Sequence, residues 1–521
     1  MQINLTGNKW KKHGDVYLRG RFFDGVDPCD LQHIAKELGA FGAVTDVVSY
    51  VNTLRGDFSF IINTPNLQCL VLSHTRLYPL FYRWHEGQWW VSDTPSVLLR
   101  KGDEVDESAR RQYVYTGAPF AGNTLIASIK QGKPSYVTCF EGGQTAEYLF
   151  GAYSIVENSF LERDTLKMSF DRVLQMVSER LLRVISDRQV VVPLSGGYDS
   201  RLVLSLLHKM GIKKILCYTV GEWNPSEQMV AQQVARALQV PLIHIDYRDE
   251  QYRVQDYGSA PFMDYVDAMG AFTNFMWLYE YNAILWLKQH ALLQDDAIFI
   301  PGHVGDFFAG SHLQKLGVKE NISIRSLQQK LLLHSFEYGK PCFDAAFRTD
   351  LKAYLQGMQH HEQAYKKVLQ FIAENRLAHQ ILNSARVYEY LGYDVLLPLC
   401  DVDFVRFFWQ LPYSELSQVT FYNQYLINEV FLHLNIAFEK SQTPQQFRRQ
   451  RIKNVLKQLF PHAWYLRLKK RKSLTTEVYL LNEMMDDLLK KGVVLKPTDL
   501  INGNEIMLTW YLKRVESQIE F

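Results

Sequence analysis

The feature that most constrains this chain is an alternation between residues 189 and 247. Apolar, β-branched runs (QVVVPL, KKILCYTV, PLIHIDY) take turns with amphipathic stretches, SRLVLSLLHKM and SEQMVAQQVARALQV. Strand-like runs separated by helical patterns of about 10 to 15 residues predict parallel strands joined by crossover helices, a doubly wound α/β sheet. A further strand is predicted in DAIFIPG. A long amphipathic helix is predicted in ERDTLKMSFDRVLQMVSERLLRVISDR, just ahead of the alternation. From about residue 320 onward the pattern is nearly all helical.

The first 150 residues read differently. DFSFIINT, LQCLVLSH, LFYRWHEGQWWVSD and SYVTCFEGG are short strand-like runs punctuated by turn residues, and PCDLQHIAKELGAFG reads as a helix. An α+β domain of stacked or paired sheets is expected over 1–152. An α/β doubly wound domain with a helical C-terminal part is expected over 153–521. A chain of 521 residues has room for two or three such units.

Composition excludes more than it assigns. The apolar fraction of 47% and charged fraction of 21% are those of an ordinary globular protein. A net charge of +2 gives no reason to expect nucleic acid or another polyanion as partner. The basic clusters FRRQRIKN (447–454) and LRLKKRK (466–472) read as solvated helix faces. Cys29, Cys69, Cys139, Cys217, Cys342 and Cys400 lie far apart and form no CxxC pair, so neither a zinc site nor a redox dithiol is expected. The N-terminal MQINLTGNKWKKHG lacks the apolar core of a signal peptide, and no run of about 18 apolar residues marks a membrane span. A cytoplasmic location is expected.

PLSGGYDS, at the end of the first predicted strand of the alternation, places two glycines and a carboxylate where a strand becomes a helix. Ligands of open α/β sheets bind beyond the carboxyl ends of the strands. Gly196 and Gly197, lacking Cβ, are expected to let the backbone turn tightly and approach an anion after Leu194. The helix N-terminus then faces that anion, and Ser195 and Ser200 add hydroxyl donors. Asp199 beside a phosphate would repel it unless a cation lay between them, which implies Mg²⁺. The loop is not a Walker A motif, since it lacks that spacing and the lysine.

LSGGYDS is similar to the signature loop of the PP-loop ATP pyrophosphatases, and the chain resembles the asparagine synthetase family along nearly its whole length. The resemblance implies that ATP is cleaved between its α and β phosphates and that a carboxylate is activated as an adenylate. FIPGHVGDFFAGSH (299–312) resembles the family's SGEGSDE loop. It implies Asp306 as the second Mg²⁺ ligand and Gly302 as part of the nucleotide site, with His303 and Phe307 in place of glutamates. His303 is expected to bond backbone or nucleotide rather than to join His312 in a zinc site, because no third ligand stands at metal-site spacing. YLGYDVLLPLCDVDFVRFFWQLP (390–412) resembles the family's GVEARxPFLD segment. That implies Asp394 as the base near the attacking nitrogen, with Leu396 replacing an arginine. Lys440 is the nearest match to the lysine that stabilises the departing phosphates, with Lys469 and Lys472 as alternatives. Arg201 is a candidate phosphate contact. Tyr218, Thr219 and Val220 end the strand where the family holds adenosine.

The N-terminal half resembles a glutaminase domain of the Ntn-hydrolase type: Gly56, Phe58, Phe60, Pro79 and Leu80 match its LxGxFAF and PLY motifs. That domain needs a cysteine directly after the initiator Met, and here Gln2 stands there; Leu72 and Ser73 replace its Arg-Asp pair. A domain without glutaminase activity is expected, as in β-lactam synthetase and lasso-peptide cyclases. The overall expectation is an AMP-forming, ATP-dependent amide ligase joining a small-molecule or sugar carboxylate to an amine or ammonia. The PGHxGDFxAGSH and LPLxD forms look like asparagine-synthetase-like proteins of surface-polysaccharide biosynthesis, which points to a uronic acid. Arg448, Arg449 and Arg451 would then meet a second diphosphate. The alternatives are a peptide cyclase of the lasso-peptide or β-lactam type, a non-catalytic nucleotide-binding relative, and a tRNA-thiolase-like enzyme. A homodimer stays open.

Overall fold

The structure, a computed structural model, describes residues 1–120, 122–151, 162–221, 225–247, 249–252, 257–334, 344–358, 363–438, 478–493 and 503–520. The chain opens on strands β1 (Gln2–Ile3), β2 (Lys11–His13) and β3 (Val16–Gly20), then helices α1 (Leu31–Ala40) and α2 (Val44–Val51). Strands β4 (Phe58–Asn63), β5 (Gln68–Leu72), β6 (Phe81–His85) and β7 (Gln88–Ser92) follow. Helix α3 (Glu107–Thr116) comes next, then β8 (Lys130–Gln131), β9 (Tyr136–Glu141) and β10 (Gln144–Leu149). They form two sheets, one ordered β1-β7-β6-β8 and one ordered β10-β9-β5-β4-β3-β2.

Strand alternation stacks them. Along β4, Phe58, Phe60 and Ile62 face α1 and α2, whereas Ile61 faces the other sheet. Along β5, Cys69 and Val71 face the helices, and Leu70 and Leu72 meet Tyr82, Trp89 and Val91 between the sheets. A period of two makes each strand serve both cores. The sequence reading has one helix among these strands, whereas the structure has three, α1, α2 and α3. The second, α2, buries Val47 and Val51.

The C-terminal part begins with α4 (Arg163–Ile185), followed by β11 (Val190–Pro193), α5 (Tyr198–Lys209), β12 (Ile215–Val220), α6 (Pro225–Ala237) and β13 (Leu242–Ile245). After α7 (Ala260–Gly270) and α8 (Leu278–Gln289) come β14 (Ile298–Phe299) and β15 (Asp394–Val395). All five strands are parallel, in the order β13-β12-β11-β14-β15. Val190, Val191 and Val192 are all buried because helices cover both faces, which explains an unbroken apolar run rather than an alternating one. The order reverses at β11, so the loop after it lies at the switch point where such sheets bind ligands.

The expected boundary at 152/153 falls outside the described residues. The cores do not divide there. Tyr113, Phe120, Leu125 and Ile129, from the N-terminal half, belong to the same buried cluster as β11, α5 and the C-terminal helices. Among the described residues, no helix is long and apolar enough to cross a membrane.

Candidate functional site

The loop from Leu194 to Gly197 joins β11 to α5, with Gly197 as the helix cap. The loop is held by its own serines. Ser195 N–H donates to Ser200 Oγ at 3.1 Å, Gly197 N–H donates to Ser195 Oγ at 3.1 Å, and the two hydroxyls lie 3.0 Å apart. The glycines serve close approach rather than unusual backbone. Gly197 has φ −79° and Gly196 is not among the positive-φ glycines. A Cβ at Gly196 would lie 2.7 Å from the Glu227 carbonyl oxygen, so α6 can pack against the loop only with glycine there.

The loop after β14 meets the same place. A Cβ on Gly302 would lie 2.4 Å from both N and Cα of Ser200, and one on Gly305 would lie 2.7 Å from the Tyr422 hydroxyl. This contact brings Asp306 to Asp199. The Asp306 N–H donates to Asp199 Oδ2 at 3.0 Å, and the Tyr422 hydroxyl donates to Asp199 Oδ1 at 2.8 Å. Val304, a β-branched residue at φ +60°, caps the short helix Gly305–Phe308 that carries Asp306. Such a conformation is costly and persists where surroundings over-determine it.

Burial raises the Asp199 carboxyl to about 7; the charge of Asp306 adds to this, while the N–H groups of Asp306 and Gly305 and the Tyr422 hydroxyl oppose it. Two carboxyl groups close enough to repel, with no cation beside them among the described residues, form a donor set suited to a hard divalent ion. Asp199 and Asp306 would be the protein's ligands and substrate phosphates the rest; among the described residues, no cluster of three His, Cys, Asp or Glu could hold a metal. Sharing with phosphates is the usual pattern for Mg²⁺. His312 packs its ring on Phe307 at 4.9 Å.

Several expected site residues are placed elsewhere. Asp394 opens β15 and pairs with Ile298 at the start of β14, so it lies at the opposite end of the sheet from the loop. Its carboxylate meets Arg188 at 2.9 Å, Arg21 at 3.1 Å and Lys9 at 3.3 Å. Burial pushes its pKa up, but these cations outweigh that and hold it below the usual carboxylate range. A carboxylate so paired is a poor base, and the expectation for Asp394 is corrected. Arg201 is buried, and its guanidinium donates to the carbonyls of Ile436 (2.9 Å), Phe438 (3.1 Å) and Gly196 (3.3 Å). It braces the loop from behind instead of meeting a phosphate. Tyr218 turns its ring into the core, with its hydroxyl 3.4 Å from that of Tyr388, while its carbonyl accepts from Leu194 N–H. Thr219 and Val220 remain half-buried at the strand end. Lys440, Lys469, Lys472, Arg448, Arg449 and Arg451 lie outside the described residues.

Sequence reasoning missed Tyr422, Glu280 and Arg376. The last two line a cavity of about 340 Å³ bounded also by His303. They come from helices distant in the chain, with no motif around them.

A family model described as asparagine synthase matches residues 173–502. No curated protein matches. Among solved structures, an NH3-dependent NAD synthetase from Campylobacter jejuni aligns at 13% identity and a TM-score of 0.20, covering 58% of this chain and 98% of its own. The U34-tRNA thiolase NcsA from Methanococcus maripaludis aligns at 12% identity and a TM-score of 0.18, covering 39% and 79%.

Proposed function

The chain belongs to the asparagine synthase family, a family of ATP-dependent amide-forming ligases, and from that premise we propose that it activates a substrate carboxylate as an acyl-adenylate for attack by an amine or ammonia. The observation that carries this reading is the convergence of Asp199 and Asp306 at the mouth of the loop. Leu194 to Ser200 cradle the triphosphate, with Thr219 and Val220 beside the adenosine. Mg²⁺ held by the two aspartates would supply charge neutralisation for the departing pyrophosphate. Tyr422 and the N–H groups of Gly305 and Asp306 fix the Asp199 carboxylate in one orientation.

The N-terminal half acts as a scaffold without glutaminase activity. Gln2 lies exposed on an edge strand with its amide 3.4 Å from that of Gln88, and a carboxamide cannot replace a thiolate nucleophile. The nitrogen then comes from an amine or from free ammonia. The sugar acid is favoured as substrate by the PGHxGDFxAGSH text, Pro301 to His312.

The test is a screen by pyrophosphate release. Uronic acids, free and nucleotide-linked, are set against leader-bearing precursor peptides, with ammonium or glutamine as nitrogen source. The reading expects turnover with a uronic acid and ammonium, and no glutamate released from glutamine. Turnover with a peptide alone would replace it with the cyclase reading.

A further inference from the structure

The cavity beside the nucleotide loop has walls from three directions. His303 comes from the loop that abuts Ser200, Trp277 and Glu280 from the start of α8, and Arg376 and Gln380 from the segment Ala373–Ile381. That last segment is a π-helix. Its wider turn is rare and concentrates at functional sites, and here it sets Arg376 and Gln380 on the same wall.

Most polar groups in these walls already have partners. The Asn274 amide donates to the His379 carbonyl and accepts from Phe275 N–H; the Asn383 amide donates to the Met269 carbonyl and accepts from Arg386. Gln380 donates to the Thr116 carbonyl and Ser384 to that of Ile381. Glu280 differs: its Oε2 is buried with no hydrogen-bond partner. Among the described residues, Arg376 and the His303 ring also lack a hydrogen bond or ion pair, and Glu280 and Arg376 line one cavity without pairing to each other. An unpaired buried carboxylate oxygen is costly unless something occupies the space before it. A volume of about 340 Å³ equals roughly eleven waters, which suits one sugar-acid-sized molecule and not a folded peptide.

We propose that this cavity holds the substrate acid, a monosaccharide-sized anion whose charge meets Arg376, and that Glu280 is the base that accepts the proton from the attacking nitrogen. This rests on the ligase reading above and deepens it. The nitrogen lone pair forms the C–N bond, the C–O bond to AMP breaks with its electrons leaving on the phosphate oxygen, and the nitrogen's proton passes to Glu280. Burial lifts the Glu280 carboxyl to about 7, opposed by a backbone hydrogen bond, a value suited to a base near neutral pH. The groups facing it besides Arg376 and His303 are the phenols of Tyr218, Tyr265 and Tyr388, all pushed upward by burial and therefore uncharged. Asp394, at the far end of the sheet, leaves that role open.

The test uses the full chain and D-glucuronate as probe. Calorimetry should show glucuronate binding to the native protein, weakening by about tenfold or more in Arg376→Gln, as for loss of a charged hydrogen-bonding partner. Arg376→Lys should recover part of it, and Glu280→Gln should bind within about twofold of native. With ATP, Mg²⁺ and ammonium, Glu280→Gln should retain glucuronate-dependent ATP–pyrophosphate exchange while amide formation falls by about 10² or more. The proposal is overturned if native protein does not bind glucuronate, if Arg376→Gln binds it normally, or if Glu280→Gln forms amide at the native rate or loses exchange in equal measure. Binding without AMP or pyrophosphate would sink the ligase reading, and with it the base assigned to Glu280, leaving only the anion pocket. Turnover of another carboxylate without glucuronate binding would do the reverse.

Discussion

Asp199 and Asp394 are two aspartates that the sequence invites one to treat alike, and the structure gives them opposite surroundings. Asp199 is buried beside a like charge, and its pKa is raised to about 7 despite the hydrogen-bond donors around it. Asp394 has three cations, and its pKa is lowered. The first was legible because a strand–glycine–carboxylate–helix unit has one location in an open sheet. The second was not, because a motif match says nothing about which end of a two-residue strand a side chain occupies. The distinction is measurable. Asp394→Asn should lower stability by about 1–3 kcal/mol, the scale for breaking a partly buried charge network. It should leave kcat within about twofold, whereas loss of a true general base costs about 10²–10⁴. A drop of that larger size, measured by steady-state amide formation, would restore Asp394 to the chemistry.

At the scale of elements, β11, α5, β12, α6 and β13 could be read directly, because apolar runs and helical periodicity alternate without interruption. β15 could not: two residues long, it sits inside text with helical character and exists only because β14 offers it an edge. The cavity walls were equally illegible, since a π-helix is a departure in hydrogen bonding that apolar periodicity does not encode. Arg201 shows how an element is fixed by a remote segment. Its guanidinium ties the start of α5 to the carbonyls of Ile436 and Phe438, under the faces of Tyr198 and Phe431. Arg201→Gln should therefore raise KM for ATP by about tenfold and cost about 2–4 kcal/mol, because buried carbonyls lose their donors. Arg201→Lys should not rescue it, since an ammonium cannot span three acceptors in a fixed fork. Normal ATP affinity in either variant, with native stability, would show that the brace is unnecessary.

Across the whole molecule the two halves are joined by charge and by core. Arg19 meets Glu389 and Arg55 meets Asp403, while Arg180, which pairs with Asp401 and Asp403 in its own half, donates across to the Gly25 carbonyl. His74 is buried at this junction and bonds the Cys400 carbonyl. Burial lowers its pKa to about 4, against the opposing pull of that carbonyl and with a further lowering from Arg406. A histidine held neutral in the folded state takes up protons in the unfolded state below about 6.5, so its contribution is lost as pH falls from 6.5 toward 4. His74→Gln, which keeps a donor for Cys400, should thus gain on the native protein by up to ~3 kcal/mol between those pH values. A stability difference independent of pH, followed by denaturant unfolding, would contradict that assignment. The central claim is that the whole assembly exists to set a carboxylate against the α-phosphate of ATP beside Asp199 and Asp306. The most direct measurement is product analysis with ATP labelled separately at the α and γ phosphates, in the presence of Mg²⁺, ammonium and a turned-over acid. The account predicts labelled AMP and labelled pyrophosphate, both lost by about 10² or more in Asp199→Ala and in Asp306→Ala; labelled ADP and free phosphate would contradict it.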